Sequence, residues 1–95
     1  MKKIAGGAMH ADEYEISLLR EVEVCRNRLE RLKASLLKME LRYGIATETF
    51  VERHRKGKSP VSGRDGSDWI EEYEARALWE KRLKEYEGRV SLMKV

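Results

Sequence analysis

Few residues of this 95-residue chain carry side chains that could do chemistry, and they are scattered. His10 and His54 are the two histidines and Cys25 the single cysteine. A metal site needs several such ligands, or carboxylates, at set spacings. His10 stands in an Ala- and Gly-rich start and His54 among basic residues, so both read as exposed polar groups. A cysteine nucleophile needs a base beside it. Cys25 falls instead on an apolar repeat and reads as a small core residue, with no second cysteine for a disulfide or a Cys-x-x-Cys pair. Gly57-Lys58-Ser59 echoes the end of a phosphate-binding loop, but Glu52 stands where the first glycine belongs and no hydrophobic strand precedes it. Asp65-Gly66-Ser67-Asp68 lacks the alternating acids and distal Glu of a calcium loop. The acids of the last segment are interleaved with Lys and Arg, the pattern of a solvated helix face. The expectation is therefore no catalytic, metal or cofactor-binding residue and no cofactor.

One cluster is suited to binding rather than catalysis. Residues 51–66 hold five basic groups, Arg53, Arg55, Lys56, Lys58 and Arg64, against Glu52 and Asp65. The flanking stretches are nearly balanced, nine basic to eight acidic groups before it and six to seven after. The net charge of +3 is therefore concentrated in a connector, which could meet phosphate, nucleic acid or an acidic protein. No aromatic residue is interleaved with it between Phe50 and Trp69, and no reading helix of helix-turn-helix type is evident.

The elements that position these residues are helices. A chain 39% charged and 41% hydrophobic with one proline has the composition of long surface-exposed helices in a single domain. From Asp12 to Tyr43, apolar residues recur in 4-3 steps at Leu18, Val22, Cys25, Leu29, Leu32, Leu36, Met39 and Tyr43. That heptad seam predicts a helix packed nearly parallel to its neighbour. Leu19, Leu37 and Leu41 widen the stripe. Gly44 stops the helix, and Thr47 is the expected cap of a short helix over 47–56 carrying Phe50 and Val51. Residues 57–66, with four Gly or Pro, read as a basic loop. A last helix spans 67–93, capped at Ser67 or Asp68. Its apolar face holds Trp69, Ile70, Tyr73, Ala77, Trp79, Leu83, Tyr86, Val90 and Met93, with Glu72–Arg76, Glu80–Lys84 and Glu85–Arg89 on the exposed face. Residues 1–11 are expected to fray. No stretch reaches the roughly 18–20 apolar residues of a membrane span, and MKKIAGGAMHADEY lacks an apolar run of signal-peptide length. The expectations are a cytoplasmic location and no membrane partner.

The fold expectation is all-α: a long antiparallel helical hairpin with a short intervening helix, dimerising into a four-helix bundle. A two-helix hairpin covers only one face, so the aromatic residues of the last helix exceed what it can bury. Trp69, Tyr73, Trp79, Leu83, Tyr86 and Val90 are therefore the expected protein interface.

Two short motifs carry a resemblance. Tyr43-Gly44-Ile45 with Glu48 and Phe50, followed by Asp68-Trp69 with Glu72, Tyr73 and Glu74, resembles a group of small all-helical prokaryotic proteins that look like the antitoxin-like partners of small toxins. The likeness spans about residues 20–90. Ala46 stands where that pattern has a capping serine and Thr49 where it has a second glutamate. The resemblance implies a non-enzymatic partner that masks a small toxin. The alternatives are a self-associating structural bundle and a small nucleic-acid-associated protein using residues 53–64.

Overall fold

The computed structural model describes residues 6–93, with side chains from residue 13 onward. Three helices follow one another: α1 (Gly6–Tyr43), α2 (Thr47–Arg55) and α3 (Gly63–Met93). The described residues form a rod 64 Å long and under 20 Å across. Partners fall along α3 as they rise along α1: Arg26 meets Glu87, Ser35 meets Glu72, and Arg42 meets Asp65. The two long helices are thus antiparallel.

The seam of α1 packs as the heptad pattern predicts from Leu18 to Met39, whereas Tyr43 at its end is 38% exposed. Leu18, Val22, Cys25, Leu29 and Leu36 are buried, and Leu32 and Met39 are half-buried. Leu19, Leu37 and Leu41 stay exposed, at 52%, 52% and 76%. On α3 the inward face takes a different course from the expected one. Glu72 and Arg76 are half-buried while Ala77 is exposed. Glu72 accepts a hydrogen bond from Ser35 at 2.7 Å, and Arg76 reaches Glu48 of α2 at 3.2 Å. The anticipated Glu72–Arg76 pair therefore gives way to contacts between helices. A polar position in a heptad seam fixes the register of neighbouring helices.

The core proper lies at the closed end, where Leu36, Phe50, Val51, Val61 and Trp69 cluster. Phe50 plugs the hairpin, its ring stacked on Trp69 at 4.1 Å and 7°, with Tyr43 stacking on Trp69 at 5.9 Å. Val61, which the loop reading passed over, is buried there too. The turn rests on Gly44, whose φ of 69° is left-handed backbone that glycine adopts without strain.

Several boundaries differ from the sequence expectation. Helix α1 begins at Gly6, within the stretch expected to fray; residues 1–5 lie outside the described ones. Helix α3 begins at Gly63, so the connector is shorter than 57–66, and Ser67 and Asp68 lie inside the helix rather than at its cap. Thr47 does not cap α2. The cap position is Ala46, without a side-chain hydrogen bond. Instead Glu40 reaches across from α1 and accepts the Thr47 backbone N–H at 2.8 Å, placing a carboxylate where the helix dipole favours one. The Thr47 hydroxyl, freed from capping, accepts the Trp69 indole N–H at 3.1 Å.

A latch joins the end of α1 to the start of α3. The Tyr43 hydroxyl and the Arg42 guanidinium both donate to the Asp65 carboxylate. The tyrosine hydrogen bond, aided by Arg42, holds the Asp65 carboxyl below its ordinary range. The same bond pushes the Tyr43 phenol up. A depressed Asp65 contributes stability above its unfolded value of 3.8 that is lost as pH falls. A raised Tyr43 contributes stability below its unfolded value of 10.0 that is lost as pH rises. Tyr43→Phe is accordingly expected to lower the melting temperature modestly at pH 7 and to flatten its pH dependence at both extremes. Parallel Tm–pH curves for the two proteins would refute the latch.

Candidate interaction surface

The five basic residues of the expected phosphate or acidic-partner site are spread over the end of α2, the connector and the start of α3. All five are exposed. Lys56 lies 3.8 Å from Glu52, and Arg64 lies 3.9 Å from Asp68 on α3. Arg55 rests over the Tyr73 ring at 5.7 Å. Arg53 and Lys58 alone of the five make neither contact. The Lys58 N–H bonds the Arg53 carbonyl at 2.9 Å, through a turn in which Gly57 takes φ +75°. Lys56 and Arg64 each lie near one acid at an exposed site, where such pairs contribute little, and Arg55 stays exposed over its ring.

The expected protein interface divides. Trp69 is 0% exposed in the chain itself, held by Phe50, Tyr43 and Thr47, so it is a core residue and not a surface anchor. The sequence showed an aromatic on the right helix, but not that α2 folds over it. Tyr73, Trp79, Leu83, Tyr86 and Val90 are each half-buried. Among these, Tyr73 lies near the α2 end, with Arg76 and Arg55 over its ring at 5.4 and 5.7 Å.

Further along α3 the half-covered aromatics meet arginines. Arg28 of α1 and Arg82 of α3 lie 4.9 and 4.8 Å from the Trp79 ring centre, and Arg89 lies 5.7 Å from that of Tyr86. Trp79, Arg82, Tyr86 and Arg89 follow one another in 3-4-3 steps, so they form one stripe along a helix. Arg28 carries the stripe across to α1. Arg28 and Arg82 were not singled out in the sequence, and Arg89 was expected to pair with Glu85 rather than to lie over Tyr86. The Trp79–Arg82 and Tyr86–Arg89 spacings were visible signals; the Arg28–Trp79 contact depends on the hairpin's register and was not.

The other flank of the seam is built differently. Leu19, Val22, Arg26, Glu87, Val90 and Ser91 line an open groove of about 330 Å³, with Arg26 and Glu87 closed in an ion pair at 2.8 Å. A neighbouring groove is edged by Lys33, Glu80 and Lys84. Both signs of charge are present there.

Cys25 is wholly buried beneath the seam, and burial, reinforced by Glu21, pushes its thiol up, away from the reactive thiolate. The His54 ring packs against Phe50 at 5.6 Å, while the side chain of His10 lies outside the described ones. Among the described residues no three of His, Cys, Asp and Glu converge as metal ligands. No described helix is long and apolar enough to cross a membrane.

No family model, curated protein or solved structure matches the chain. The resemblance to antitoxin-like proteins therefore stands on its two short motifs alone.

Proposed function

We propose that the chain is a non-enzymatic protein-interaction module of the cytoplasm, in which the hairpin is a rigid support and the α3 flank is the working surface. One observation carries this reading: Trp79 and Tyr86 remain half-covered after the hairpin has closed. Large aromatics left half-covered in a rigid element are the anchors that partners fill around. Read with the resemblance, the partner is a small toxin whose active surface the flank masks. Self-association into a four-helix bundle is the second reading, favoured by the exposed Leu19, Leu37 and Leu41 on the other side of α1.

Sedimentation velocity separates the readings. The chain is run alone and after co-expression with the product of the adjacent reading frame. A 1:1 complex is expected, weakened about tenfold or more by Trp79→Ala with Tyr86→Ala. A dimer dispersed by Leu37→Glu with Leu41→Glu favours the bundle. A chain that stays monomeric and takes up no product of the neighbouring frame contradicts both.

A further inference from the structure

The flank that holds Trp79 also has a charge, and the charge restricts its occupant. On the strength of the interaction-module reading, we infer that the stripe Arg28–Trp79–Arg82–Tyr86–Arg89 docks an acidic amphipathic helix of a partner protein.

Among the described residues, none of Arg28, Arg82 and Arg89 makes an ion pair. Each lies over an aromatic ring instead. Stacking in this way uses the face of a guanidinium and leaves its in-plane N–H donors free for carboxylates. It also holds a long side chain in place before a partner arrives, which reduces the entropy lost on binding. Two carboxylates stand near this stretch in the helical repeat: Glu21, seven residues before Arg28 on α1, and Glu85, three residues after Arg82 and four before Arg89 on α3. Three arginines face them. The balance stays basic, whereas the opposite flank closes Arg26 on Glu87.

Spacing points to a helix as the occupant. Arg82 and Arg89 are seven residues apart on α3, about 10.5 Å along its axis. A third helix lying along the hairpin presents carboxylates at the same heptad interval, and its apolar seam covers Trp79 and Tyr86. The same arginines disfavour a second copy on this flank, because the two stripes would then meet like charge with like. Single-stranded nucleic acid matches the charge, and basic grooves with aromatic side chains are what it binds. Two guanidinium groups already lie over Trp79, so a base must displace one to stack there, and an oligonucleotide is therefore one arm of the test.

The test uses the full chain and two designed amphipathic peptides of about 21 residues, three heptads each. Both share a leucine seam. One has Glu and the other Lys at the flanking positions. A single-stranded oligonucleotide of about 20 bases serves as a third probe, all at about 50 mM salt to limit screening. Calorimetric titration should give at least about tenfold tighter binding of the Glu peptide than of the Lys peptide. Arg82→Glu with Arg89→Glu should reverse that preference while leaving the melting temperature close to wild type. Equal binding of the two peptides overturns the acidic-helix inference and leaves the module reading standing. Tighter binding of the oligonucleotide, or a wild-type preference for the Lys peptide, also overturns it. Failure to bind either peptide overturns the inference, and the co-expression experiment then decides the module reading separately.

Discussion

Trp69→Ala should unfold this protein at ambient temperature or bring it close to unfolding. Trp69 is the largest fully buried side chain, and its ring joins all three helices. It stacks on Phe50 of α2, meets Tyr43 at the end of α1, and donates its indole N–H to Thr47. Truncating a buried tryptophan costs about 3–5 kcal/mol in lost transfer energy and cavity, and a small domain has a total of only about 5–15 kcal/mol. The Glu40 bond to Thr47 and the Arg76 bond to Glu48 also tie α2 to its neighbours. Trp69→Phe should be milder, roughly 1–3 kcal/mol, since it retains the stack and leaves the buried Thr47 hydroxyl without its donor. Urea titration followed by far-ultraviolet circular dichroism measures both. If Trp69→Ala melts like wild type, the closed-end core is wrongly assigned.

Gly66→Ala is the second large effect, and Gly88→Ala is its counterpart of opposite sign. Gly66 is buried where α3 starts, and a Cβ there would stand 2.5 Å from the Val61 carbonyl oxygen. The obstacle is backbone, so the connector must move and take Val61 out of its cluster with Phe50 and Leu36. Forced overpacking of this kind costs about 1–3 kcal/mol. Gly88, on the same helix, has nothing within 4 Å of an added Cβ. Alanine there should stabilise the helix by about 0.5–1 kcal/mol. A ranking in which both substitutions act with the same sign would show that the connector does not pack on α3 as described.

Helix type and pairing were legible in the sequence because they depend on local periodicity. The 4-3 seam from Leu18 to Met39 determines which face of α1 is covered, and Gly44 ends the helix whatever the surroundings. What the sequence hid depends on contacts between segments distant along the chain. Thr47 looked like a cap, but Glu40 took that role and left the threonine to hold Trp69. Ser67 and Asp68 looked like a helix start, yet α3 begins at Gly63 among glycines that propensity alone assigns to a loop. Val61 is buried only because the connector folds back over Phe50. The candidate surface divided on the same principle. Half-burial of Trp79 and Tyr86 follows from the helical repeat, whereas loss of Trp69 to the core and the arrival of Arg28 over Trp79 follow from the register of the hairpin. The heptad pattern admits polar residues at Glu72 and Arg76 because each finds a partner on another helix.

The two tryptophans offer the most direct measurement of the central claim, that a partner sits on the α3 flank and leaves the closed-end core untouched. A nitrogen-15 correlation spectrum of the chain should contain two indole N–H signals. That of Trp69, buried and bonded to Thr47, should exchange slowly with solvent. That of Trp79, half-buried beside Arg28 and Arg82, should exchange faster. On saturation with the Glu peptide or with a co-expressed partner, the Trp79 signal is predicted to shift and become protected while the Trp69 signal stays in place. A Trp79 signal that does not move at saturation, or a Trp69 signal that moves in its stead, would contradict the account.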